Sequence, residues 1–385
     1  MQYRMSLFAA AAALAAGLLP ACQKWTVSGE EIAPEQSSYV SLPEVARLLA
    51  SVPLEAAHLE EVHGAASASS ANGYDEEYRM QDLFAAPGAG VGESAPAKAY
   101  ARPLRDLLRE AVLSTKAGGS AGEAWLDSLA LSDVQIYWPY AERWDGSSLP
   151  VITYDPGEGA LTGEGWALQR DGSVQKVLVD ETLAQESPVW VVNHNRDAQY
   201  KSLEMLRRED PSWGSGGGSI LVKSPLGEDC HTLVLRSIRT YRQFDSWFAG
   251  GSEFFVKMGA VEDFIASTEA ELRLYDPTIT DFMVVVRRSQ MGEEVPFNAV
   301  LVSEWTAQLS ACALMVIEDD GGTRTSWKCS AVVKVASKSY GVEMEIPLHS
   351  RDDIVWRGSL SRTFIERNNG VPVRLGDVDL VLELI

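Results

Sequence analysis

The chain has 385 residues, 46% of them hydrophobic and 23% charged, the composition of a globular protein too long for one ordinary core. Asp and Glu number 54 against 33 Lys and Arg, for a net charge of −21. That balance argues against nucleic-acid binding, which needs clustered Lys and Arg to displace counterions, and fits a soluble domain that repels anions.

At the N-terminus MQYRMS carries one positive charge, Arg4, and LFAAAAALAAGLL follows as a short apolar run. The run is too short for a stable transmembrane helix and reads as a secretory signal. It ends in Leu19-Pro20-Ala21-Cys22, which resembles the lipobox of bacterial lipoproteins. The resemblance implies that residues 1–21 are removed and that Cys22 is lipidated as the mature N-terminus. Gln23, in place of an aspartate, implies sorting to the outer membrane. The alternative is ordinary cleavage after small residues, with Cys22 a plain thiol. Acyl chains anchor firmly, each buried methylene contributing about 0.8 kcal/mol. Residues 22–40 are polar and aperiodic, as in a tether.

Residues 41–132 read as a helical region. Ser41 and Glu44 have capping-box spacing with Pro43 in the first turn, and the next helix is expected to end at Gly64. SSANGYDE reads as a turn. ARPLRDLLREAVLSTKA, with leucines at 104, 107, 108 and 113, is a further amphipathic helix. Residues 133–213 are mixed α/β: strand-like DVQIYWPY, LPVITYD, GWALQRDGSVQKVLVD and PVWVVNHN, with a hairpin signal at Asp171-Gly172 and one helix in SLEMLRRED. WGSGGGS, from residue 213, is the best linker candidate. Residues 219–385 alternate short strand patterns, ELRLY among them, with turns, and predict an antiparallel β-sandwich. The fold class is therefore α+β.

Cys230, Cys312 and Cys329 would sit outside the cytoplasm, where disulfides persist. With Asp320-Gly321 as a two-residue hairpin loop, Cys312 falls directly opposite Cys329 at a non-hydrogen-bonded pair, about 4.5 Å between Cα atoms. The same register puts Leu314 opposite Trp327 on the cysteine face. A disulfide is expected; two unbridged buried thiols are the alternative. Cys230 is the odd thiol.

QIYWPYAERWDG, LEMLRREDPSWG, DDGGTRTSWKCS and SRDDIVWRG make the mature chain resemble uncharacterised exported lipoproteins of Bacteroidetes-type bacteria. The resemblance implies export and a lipid anchor. It implies no activity.

Candidate chemistry is sparse. His58 and His63 in HLEEVH are five residues apart, about 140° off a common helix face, and do not suit zinc. His194 and Asp197 in VNHNRD follow an apolar strand and suit an acid–base pair, although Asn, His and Asp are also ordinary turn formers. Ser173 and Lys176 match Ser-x-x-Lys, but in a strand where both side chains would not converge on a substrate. Acidic turns at Asp319-Asp320, Asp352-Asp353, Asp377 and Asp379 raise calcium, with solvated turns favoured over it. No metal or cofactor is expected. In YWPYAERWDG, Pro139 interrupts the strand. Ile136 and Trp138 share a core face, leaving Tyr140 and Trp144 as candidate rings for stacking on sugars, with Glu142, Arg143 and Asp145 able to bond hydroxyls. The expected function is non-enzymatic binding of a glycan, a protein or another envelope component by an outer-membrane lipoprotein, with no nucleic-acid partner. The alternative is an envelope hydrolase using His194 and carboxylates.

Overall fold

The computed structural model describes residues 40–85, 94, 99–115, 119–157, 159–195, 200–211 and 230–385. The signal segment, Cys22 and its tether up to residue 39, Asp197, the glycine-serine linker and the expected SILVKS strand lie outside the described residues.

Helix α1 (Leu42–Ser51) begins where Pro43 allows it, although the Ser41 side chain makes no capping bond. Val45, Ala46 and Leu49 lie on its fully buried face. Helix α2 (Ala56–Ala71) opens with a capping box between Glu55 and His58. It does not end at Gly64 as expected. Ala65, Ala66 and Ser69 are buried beyond it, and their packing offsets a mid-helix glycine's cost of about 1 kcal/mol.

The short strand β1 (Glu77–Arg79) and helix α3 (Met80–Phe84) come next, then helices α4 (Leu104–Thr115) and α5 (Ser120–Ala130). Strands β2 (Val134–Tyr137), β3 (Val151–Tyr154), β4 (Thr162–Leu168) and β5 (Val174–Asp180) lead through helix α6 (Glu181–Glu186) to β6 (Val189–His194). These six strands form one sheet in the order β1-β2-β6-β3-β4-β5. Only β3 and β6 run parallel. The β4–β5 turn is the one signalled by Asp171-Gly172, with Gly172 at φ +82°. One face of the sheet, through Ile136, Trp138, Ile152 and Trp190, packs on α1, α2 and α4. The other, through Tyr137, Val189 and Val191, packs on Trp247 and Phe248. Helix α7 (Leu203–Glu209) is capped by Ser202, whose hydroxyl accepts the Met205 amide at 3.1 Å.

The C-terminal half contains β7 (His231–Thr240), β8 (Ser252–Ala260), β9 (Thr278–Val286), β10 (Val295–Trp305), β11 (Leu309–Glu318), β12 (Arg324–Val335), β13 (Lys338–His349), β14 (Asp353–Ser361), helix α8 (Arg362–Arg367), β15 (Pro372–Leu375) and β16 (Val378–Leu384). One sheet runs β10-β7-β16-β15; the other runs β13-β12-β11-β8-β9, with β14 also paired to β11. Leu235, Leu301 and Leu380 of the first share a core with Val256, Val284 and Leu314 of the second. Two antiparallel sheets around one core make the expected sandwich, and with the helical N-terminal layer the chain is α+β. The ELRLY segment, expected as a strand, is a 3-10 helix (Glu269–Leu274) started by a Thr268/Glu271 capping box. Local capping overrides its alternation.

The cysteine register is also corrected. Both edges of β11 are taken, by β14 along Ala311–Glu318 and by β8 along Ala313–Glu318. Strand β12 pairs with β13 along its whole length and meets β11 only at Leu309↔Val333 and Ala311↔Val332. Cys312 therefore lies opposite Leu360 and Cys329 opposite Met344, and both are free thiols, as is Cys230. The DDGG segment closes a wide turn, Asp319 Oδ1 accepting the Gly321 amide at 2.9 Å.

Candidate functional site: an acidic seam

Asp75, Glu76 and Glu77 are consecutive, acidic and buried, all at or below 4% exposure. Buried carboxyls need partners, and Asp75 finds one in another layer. Asp75 Oδ1 accepts the Glu76 amide at 2.8 Å and its Oδ2 accepts the Gly251 amide at 2.6 Å. Glu76 accepts the Tyr140 amide at 3.2 Å. Asn195 donates to Glu77 at 3.1 Å and to Gln135 at 2.8 Å. Burial pushes the Asp75 carboxyl up. Burial, and then the adjoining Glu142 carboxyl, push Glu76 well up.

The segment before β8 is held from the other side. Asn193 donates to the carbonyls of Phe248 and Ala249 at 2.9 and 2.7 Å. Arg288, its side chain 6% exposed, donates to the carbonyls of Gly250 and Asp245 at 2.9 and 2.5 Å and pairs with Glu181 at 3.1 Å. A Cβ on Gly251 would fall 2.7 Å from the Val286 carbonyl oxygen, so only glycine lets the strands approach this closely.

Behind that segment, carboxylate oxygens of Asp245, Glu253 and Glu318 lie within 4.8 Å of one another. Glu318 is fully buried and neither of its oxygens has a hydrogen-bond partner. Burial first, then the Asp245 carboxyl, push it up to about 12. Asp75, Glu77, Gln135, His194, Asp245, Ala249 and Glu253 line a crevice of about 10 Å³ at this seam. That is room for a water or an ion, not for an organic substrate.

His194 ends β6 on the rim, its Nδ1 2.9 Å from Asp133 Oδ1. This bond is the main cause holding the Asp133 carboxyl below its usual range. The dyad thus uses Asp133, a residue that sequence reasoning missed, while Asp197 lies outside the described residues. A second cluster joins Asp319, His349 and Asp352 at the other side of the DDGG turn, His349 Nδ1 standing 3.4 Å from Asp319.

The expected aromatic platform does not form. Tyr140 is 5% exposed, packs with Tyr137 and Trp247, and donates its hydroxyl to Glu181 at 2.9 Å. Trp144 is half-buried against Trp138 and His63, and its indole N–H donates to the Ser148 carbonyl at 3.0 Å. Asp145 accepts the Ser147 and Ser148 amides within its own turn. Pro139 ends the strand as expected, but Tyr140 in the left-handed region, φ +59°, turns its ring inward. His58 is buried, its Nδ1 accepting the Glu55 amide at 3.0 Å as part of the helix cap.

Searches of family models, curated proteins and solved structures find no significant match to this chain.

Proposed function

We propose that this is an exported protein, anchored by lipid on Cys22 to the outer membrane, that acts by binding a glycan, a protein or another envelope component. The observation that carries the non-catalytic reading is the use to which the seam's polar groups are put. Asp75, Glu76, Glu77, Asn193 and Arg288 all bond backbone or amide groups of another segment. Asp75, Asn193 and the Arg288–Glu181 pair join the helix-covered sheet to the sandwich, and the crevice of about 10 Å³ beside them does not admit an organic substrate. The anchor reading rests on the Arg4, apolar-run and Cys22 pattern. Among the described residues no helix is long and apolar enough to cross a membrane.

A second reading, an envelope hydrolase, is favoured by the His194–Asp133 contact on the crevice rim. One experiment separates the two. Purified protein and a His194→Ala variant are incubated with isolated envelope glycan and with solubilised envelope proteins, and co-sedimentation and released products are both measured. Binding without product, unchanged in the variant, is expected. Product release that disappears in the variant overturns the binding reading. For the anchor, Cys22→Ser should abolish fatty-acid labelling and free the protein from membranes; a membrane-bound variant of an unlabelled parent would sink it.

A further inference from the structure

We propose that a cavity of about 120 Å³ lined by α2, α7, β9 and β10 binds one free α-amino acid with a small apolar side chain. The volume sets the size of the ligand. An apolar cavity of about 150 Å³ holds benzene, so this one takes about six to eight non-hydrogen atoms, the range from alanine to valine. Met283 and Val285 of β9 and Val295 and Phe297 of β10 give it apolar walls.

Two opposite charges share this space. Arg287 follows β9, and Glu204 lies in the first turn of α7. They do not pair with each other: Glu204 Oε1 turns towards Arg207, 3.8 Å from its Nη1. The Nε of Arg287 is buried and meets no hydrogen-bond partner. Its charge reaches Asp75 and Glu76, but among the described residues no carboxylate closes an ion pair with it. Buried donors are ordinarily paired, and a guanidinium fork is shaped to take a carboxylate.

The fold holds both groups in place. Arg207 donates to the Phe297 and Asn298 carbonyls at 3.1 and 2.7 Å, which fixes α7 against β10. Gly73, at φ +83°, leaves the room that Glu204 Oε2 fills, and a Cβ there would collide with that oxygen. Gln290 accepts the Arg287 amide at 3.1 Å through Oε1, which keeps its NH₂ as a further donor on the wall.

A plain anion in this cavity would meet Glu204 as well as Arg287, and a plain cation the reverse. An ammonium and a carboxylate on one carbon answer both charges at once. The ligand carboxylate faces Arg287, its ammonium faces Glu204, and its side chain lies on the apolar walls. The inference is independent of the binding function proposed above.

The test is calorimetric titration of the purified protein with L-valine, with thermal unfolding followed in parallel. Isovalerate and isobutylamine, each carrying one of the two charges, serve as half-ligands. Valine should bind one to one with a Kd between about 10 μM and 1 mM. Each half-ligand should bind at least about tenfold more weakly. Arg287→Gln and Glu204→Gln should each weaken valine by about ten- to a hundredfold while the circular dichroism stays that of the parent. Should Arg287→Gln fail to fold, Glu204→Gln and the half-ligands decide. Neither heat nor a shifted unfolding midpoint with alanine or valine up to about 10 mM would leave the Arg287 donor to water, and overturns the proposal. Isovalerate that binds as tightly as valine and ignores Glu204→Gln would make this a plain anion pocket, and overturns it too. So does valine binding that is unchanged in either variant.

Discussion

Asp75 and Gly251, 176 residues apart in the chain, are joined by a 2.6 Å hydrogen bond from the Gly251 amide to a buried carboxylate oxygen. It fastens the end of the helical layer to the start of β8. Asp75→Ala should leave that buried amide unpaired and cost about 1–3 kcal/mol. Asp75→Asn, able to accept the same bond, should cost less. Urea denaturation of the three proteins checks the order, and equal stabilities would remove the bond's importance.

Glu318 and Glu76 both have folded-state pKa values raised above those of the unfolded chain. The folded protein therefore holds protons that the unfolded chain releases above about pH 4.5, the usual carboxylate range. That stability is full below the unfolded value and is lost as pH rises towards the folded one, about 12 for Glu318. The parent's unfolding free energy should fall between pH 5 and 9, by at most about 1.4 kcal/mol per pH unit for each proton. Glu318→Gln should flatten that fall and be the more stable protein at pH 9. An unchanged slope in the variant contradicts the assignment.

Tyr140 and Trp144 are packing residues in this fold. The Tyr140→Ala/Trp144→Ala double variant should lose about 3–5 kcal/mol or more, with a lowered melting midpoint by circular dichroism. Tyr140→Phe, which loses the hydroxyl's bonds to Glu181 and from Gln185, should lose about 1–2 kcal/mol. A double variant that melts like the parent would return the rings to the surface.

Cys312 is fully buried and Cys329 half-buried, and burial raises both thiol pKa values. Under native conditions alkylation should reach Cys329 before Cys312. After unfolding without reductant both should label. A non-reduced digest that links the two peptides would instead support the disulfide register that the strand pairing replaces.

Legibility from sequence followed the range of the forces involved. The β4–β5 hairpin, the α7 helix and the apolar strands β7, β8 and β16 were readable because local turn chemistry and periodicity decide them. The Cys312–Cys329 register failed because β14, starting more than thirty residues past β11, takes the edge that a local hairpin would have used. Strand β1 falls within the stretch that reads as helical, and nothing local marks it; Glu77 is partnered by Asn195, far along the chain. The acidic seam had one local trace, the run Asp75-Glu76-Glu77 between two tyrosines. Asp245 and Glu253 had none, and Glu318, although it adjoins the Asp319-Asp320 turn, meets them only through strand pairing.

The Asp75–Gly251 tie also bears on the order in which the chain acquires its structure. The Asp75 carboxyl reaches its Gly251 partner only when a segment 176 residues further on has arrived. Until then that carboxyl keeps water as its partner. As the chain emerges N-terminus first, its early helices form on local contacts, but their layer closes only after β7 has passed. Late closure keeps a truncated product from passing as native.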